Sequence, residues 1–176
     1  MKIILILISI LFNAASAGSI KDETEALIRE KLGDSVTAEF IKYQIPQKLK
    51  KEIEIETRQK FYGEFIYIYK ITEKDKLKNI VIVDNVYGKS MPITFMVIFE
   101  LDGKINYSGI IKYREQYGSG VKSDEWNEQF KNKDSKSGYE VGRDISAISG
   151  ATISANSISR GIKKLAVLME KIKADL

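Results

Sequence analysis

The sequence has no cysteine and no histidine. These two absences remove a large part of protein chemistry. A thiol nucleophile, a Ser-His-Asp triad, an imidazole base and a Cys/His zinc site are all excluded. No disulfide can form, so cysteine usage says nothing about compartment. Neither charge sign dominates: the net charge is +4, with Lys and Arg spread along the chain. That is well short of a nucleic-acid footprint, so no nucleic-acid partner is expected. The densest basic run, Lys48 to Lys51, is followed at once by Glu52, Glu54 and Glu56, and reads as a solvated face. Long apolar runs are missing beyond the N-terminus, and no later segment is suited to crossing a bilayer.

What is present suffices for one domain. The 176 residues are 44% hydrophobic and 30% charged, which supports a real core and argues against a disordered chain. The first seventeen residues stand apart. One Lys precedes an apolar run from Ile3 to Phe12, and Ala15-Ser16-Ala17 follows. That order is the signature of a secretory signal peptide with a small-x-small cleavage site. The run is too short to span a bilayer as a helix. Residues 1–17 are therefore expected to be removed. The mature chain, 18–176, is expected to be a single domain outside the cytoplasm, in the periplasm, with no membrane span of its own.

Along the mature chain, Asp22 to Leu32 suggests a short helix ending at Gly33. Ile53 and Ile55 alternate with Glu52, Glu54 and Glu56, which predicts a half-buried strand. "FYGEFIYIYKI" and "NIVIVDNVYG" predict two more strands. "ITFMVIFELDGKINYSGIIKY" predicts a hairpin turning at Asp102-Gly103, where Gly accepts a positive φ. Pro46 and Pro92 fall near expected strand starts. Ala151, Ala155, Ile158, Ile162, Leu165, Met169 and Ile172 step by four and three, forming the apolar stripe of a long last helix. The expected fold is α+β: an antiparallel sheet with hairpins, packed against a long C-terminal helix and shorter helices.

Two clusters carry chemistry. "SAISGATIS" opens the last helix. One reading makes Ser149 an N-cap with Thr152 at N3. The other makes the helix start an anion site, with unpaired N–H groups, the positive dipole end and Gly150 admitting a ligand to the backbone. The second cluster, "YREQYGSGVKSDEWNEQF", joins a Gly118-Ser119-Gly120 loop to Trp126 and Phe130 on one helical face.

Taken together, the clusters resemble the FMN-binding domain family. That family includes the covalently flavinylated subunits of sodium-pumping NADH:quinone reductase and of the Rnf complex. Its signature reads Asp-x-x-Ser-Gly-Ala-Thr, and Ser149, Gly150, Ala151 and Thr152 match its end. Glu115, Gly118, Gly120, Trp126 and Phe130 match its upstream loop. Ser146 stands where the motif has Asp, with Asp144 nearby as a possible substitute. Gln116, Tyr117 and Ser119 replace Thr, Pro and Leu.

The resemblance implies FMN as cofactor, joined by a phosphoester to Thr152. It implies that Ser149 and the N–H groups of Gly150, Ala151, Thr152 and Ile153 hold the phosphate. The pocket wall would run from Glu115 to Gly120, with Tyr117 and Trp126 as candidates to meet the flavin ring. It further implies a flavin transferase for maturation, and redox donor and acceptor proteins that include membrane-bound ones. The protein would be an electron-transfer flavoprotein rather than a self-sufficient enzyme. Two alternatives stay open: non-covalent binding of FMN or another phosphate-bearing ligand, and a flavin-free interaction module of the same fold.

Overall fold

The computed structural model describes residues 18–176; the expected signal peptide lies outside the described residues. Five strands form one antiparallel sheet in sequence order: β1 (Thr37–Gln44), β2 (Phe65–Glu73), β3 (Lys76–Tyr87), β4 (Pro92–Glu100) and β5 (Ile105–Lys112). Four α-helices flank it: α1 (Ile20–Leu32), α2 (Gln47–Thr57), α3 (Asp124–Glu128) and α4 (Thr152–Ile172). The α+β expectation holds.

Both faces of the sheet are covered. Ile66, Ile68, Ile80, Ile82, Phe95, Val97 and Phe99 face α4. Tyr69, Ile71, Val81, Val83, Met96 and Ile98 face the side where Ile28 of α1 packs. Two buried faces explain why the central strands read as continuous apolar runs rather than as alternation. The β4–β5 hairpin turns as expected, with Gly103 at φ 96° and its N–H bonded to Glu100 O at 2.9 Å.

All seven residues of the predicted stripe on α4 are buried, Ala151 just ahead of it included. The helix lies on β3 and β4, and α2 packs against it from another side. Gly161 allows the close approach: a Cβ there would lie 2.7 Å from a Val86 methyl carbon and 2.9 Å from the Phe95 ring.

Three expectations need correction. Residues 53–56 are helical, within α2. Ile53 is buried beside the partly buried Leu49, while Ile55 is 79% exposed. The spacing Leu49, Ile53, Thr57 is the helical one, and a two-residue alternation this short was a coincidence of charge pattern. Pro46 is consequently the N-cap of α2 and not a strand start. The edge strand β1 was not expected at all. Helix α1 runs as expected to Gly33, and its start carries a full capping box between Ser19 and Asp22.

Candidate functional site

Helix α4 begins at Thr152, with Ala151 as N-cap and no side-chain cap. This corrects the capping expectation: Thr152 is the first helical residue rather than N3, and Ser149 is not the cap. The Ala151 N–H is already bonded to Ile148 O at 3.1 Å, so it is not free for a phosphate. The first intrahelical bond runs from Ala155 N to Ala151 O, which leaves the N–H groups of Thr152, Ile153 and Ser154 ahead of it. No acidic residue sits in the first turn. The Thr152 side chain is exposed. A bare, positive helix end with a hydroxyl on it is suited to a phosphate.

A cleft of about 330 Å³ opens at this end, lined by Lys89, Glu115, Tyr117 and the stretch from Gly150 to Ser154. Of the expected site residues it contains Glu115, Tyr117, Gly150, Ala151, Thr152 and Ile153. Tyr117 is 81% exposed, free to lie against a flat ligand. Glu115 is differently employed than a bare wall. Its Oε1 accepts from the N–H groups of Ser90 at 2.6 Å and Met91 at 2.9 Å. Those backbone bonds hold its carboxyl below the usual carboxylate range. Glu115 thus ties the β3–β4 turn to the chain leaving β5.

The glycine loop comes in against α4. Gly118 has φ 84°, and a Cβ there would lie 2.9 Å from Tyr113 Oη, 3.1 Å from Ser154 Oγ and 3.4 Å from the Ala151 Cα. Tyr113 Oη in turn meets Ser154 Oγ at 3.0 Å and donates to Tyr117 O. Only glycine permits both this conformation and this contact. Gly118, Ser119 and Ser149 shape the surroundings but do not line the cleft.

Trp126, Gly120 and Ser146 belong to a second hollow, with Ser123, Glu125, Gln129 and Ile148. Trp126 is 5% exposed and meets Phe130 edge-on, with ring centroids 5.1 Å apart. Its Nε1 donates to Ser146 O at 2.8 Å, and Ser146 N donates to Gln129 Oε1 at 2.7 Å. Both backbone groups of Ser146 are therefore held, one from α3 and one from Gln129, the residue that caps its end. Trp126 braces the turn before α4 from within the core; it is not an open surface for a ring. Ile148 packs over Gly120, where a Cβ would come within 2.9 Å of its Cγ2. The two sequence clusters go together because one supports the other. Asp144 is occupied elsewhere, accepting from Glu140 N at 2.9 Å and pairing with Arg143.

Sequence reasoning missed Lys89 and Ser154. Nothing in the local pattern marks Lys89, which the turn of β3 into β4 brings to the cleft; Ser154 closes the quoted cluster and stands in the first turn of α4, two residues after Thr152.

Residues 88–167 match the family described as FMN-binding domain. That match points to FMN as the cofactor. Among solved structures, NqrC of Shewanella oneidensis has a similar fold, with TM-score 0.55 and 16% sequence identity. The likeness covers 84% of this chain and 86% of that one. No curated protein matches the sequence. The donor set fits the phosphate end of FMN: a helix N-terminus without a cap, an exposed hydroxyl, and glycines that leave the backbone approachable. Among the described residues, no group of three or more acidic side chains is placed to hold a metal.

Proposed function

We propose that the protein is an extracytoplasmic flavoprotein that carries FMN on Thr152 through a phosphoester bond and passes electrons between redox proteins. The observation that carries this reading is the exposed Thr152 at the first position of α4, in a cleft of the segment that matches the FMN-binding family. When bound, the flavin supplies the redox chemistry, which a chain without Cys or His needs from a cofactor. The chain's own residues bind and orient. The N–H groups of Thr152, Ile153 and Ser154, ahead of the first intrahelical bond, would hold the phosphate. Gly118 lets the loop wall close on α4, and Tyr117 offers a stacking surface. Trp126 and Gln129 hold the turn that delivers Thr152.

Attachment is the work of a separate flavin transferase, and the redox partners include proteins of the membrane. Cleavage after Ala17 releases the domain, and N-terminal sequencing of exported protein is expected to begin at Gly18. Intact mass of protein from its native compartment tests the linkage. It should exceed the peptide mass by one FMN less water, and Thr152→Ala should lose that increment while keeping its circular dichroism. An increment that persists in full in Thr152→Ala excludes the site.

One observation favours the non-covalent alternative. Ser146 replaces the motif carboxylate, and Asp144 is engaged by Arg143 and the Glu140 N–H, so no carboxylate stands in for it. Acid precipitation separates the two readings: covalent flavin stays in the pellet, and free flavin remains in solution.

A further inference from the structure

Two charged side chains line the cleft at α4, Lys89 and Glu115. Glu115 is engaged, its Oε1 accepting two backbone N–H groups. Lys89 makes no such bond: among the described residues its ammonium has neither an ion-pair nor a hydrogen-bond partner, although its charge adds a small part to the lowering of the Glu115 carboxyl. A lysine on a surface turn is ordinary. The setting of this one is not. Its turn, Gly88 to Met91, is closed by the Gly88 N–H bonding Met91 O at 3.0 Å and is tied down again by Glu115. The ammonium therefore hangs from a fixed backbone, on a flexible stem, above a cleft whose other occupants are three helix N–H groups and a free hydroxyl. All of these favour negative charge, and the one carboxylate present is shared with backbone donors.

We infer that Lys89 is the phosphate-binding cation of this cleft, presented by a turn that Glu115 clamps. The inference rests on the cleft being the FMN site. It adds what that reading lacks, namely how the chain discriminates a phosphorylated flavin from an unphosphorylated one. A lysine acts as a compact point charge with rotatable donors, suited to a phosphoryl group both before attachment and as the remaining charge of an ester. Gly88 is part of the device. A Cβ there would come within 2.5 Å of Glu115 Oε1, so a side chain would break the clamp.

The test titrates flavin-free protein with FMN and with riboflavin, reading the quenching of flavin fluorescence. A parallel arm follows flavin incorporation by a transferase. The parent should prefer FMN over riboflavin. Lys89→Met should weaken FMN about tenfold, the size expected for one charged hydrogen bond, and leave riboflavin unchanged. Lys89→Arg should restore most of the preference, and added salt should shrink it. Incorporation into Lys89→Met should slow in step. If Lys89→Met binds FMN with the parent's FMN-to-riboflavin ratio and is modified at the parent's rate, the Lys89 assignment is overturned and the cleft reading stands. If the parent takes up FMN neither reversibly nor covalently, both fall together.

Discussion

Lys164 on α4 reaches Asp84 on β3 inside the core, with Nζ 2.6 Å from Oδ2. Lys164 is fully buried and also donates to Lys60 O at 2.8 Å, with its ammonium 4.3 Å from the Phe61 ring centre. Burial pushes the Asp84 carboxyl up and the Lys164 ammonium down, and each partner opposes the other's shift. This pair fastens the helix that bears Thr152 to the middle of the sheet. Removing one partner leaves a buried charge alone. Lys164→Met should cost about 3–5 kcal/mol in urea unfolding, whereas Lys164→Met with Asp84→Leu should recover most of that loss. Strict additivity of the two single losses would refute a coupled pair.

Gly118 should resist even alanine. The left-handed conformation costs a non-glycine residue about 1–2 kcal/mol, and the Cβ also meets Tyr113 and Ser154. Gly118→Ala should lower stability by roughly that amount and reduce flavin retention by a larger factor, because the loop wall must move off α4. Replacing Gly118 and Gly120 together by Val should deepen the flavin loss. Equal proportional losses in melting and retention would mean the loop is merely a turn.

Acid should loosen the Lys89 turn. The Glu115 carboxyl titrates below its unfolded value because Met91 and Ser90 N–H groups bond its charged form. Its contribution is therefore present above the unfolded carboxylate pKa and is lost as pH falls through the lowered folded value. FMN affinity should drop over that acid range more steeply in the parent than in Glu115→Gln. Parallel pH curves for the two proteins would contradict the clamp.

Ser146→Asp restores the motif carboxylate. The Ser146 side chain is exposed, and only its backbone is held by Trp126 and Gln129, so the change should leave stability within about 0.5 kcal/mol. Its effect should appear as faster or fuller flavin incorporation in a time course with one transferase. Identical time courses would make the departure neutral.

How much of this was legible in the sequence depends on the physics of each element. The α4 stripe was legible because a helix against a sheet repeats its burial every three to four residues over a long run. β3 and β4 were legible as apolar runs because both their faces are covered. β1 was not, since an edge strand such as Thr37–Gln44 is mostly exposed and carries little apolar signal. The α2 error arose where five residues, Glu52 to Glu56, fit two periods. At the site, Thr152 and the glycines were legible through local motif chemistry. The braced rather than exposed state of Trp126 depends on packing between distant segments, as does the arrival of Lys89.

The uncapped start of α4 has a further consequence for a flavin joined there. Thr152 is β-branched, with few side-chain rotamers in a helix, and it stands on a helix that is sunk in the core and bolted to β3. A group esterified at that point is mounted on a post and not on a hinge. Its travel would be set by its own ribityl arm, because the residue that bears it stands on a packed helix and not on a loop. With such an anchorage the next carrier would have to come to the flavin, and turnover would be governed by the lifetime of the docked pair. Such an anchorage suits a fixed relay within an assembly better than a shuttle diffusing between stations.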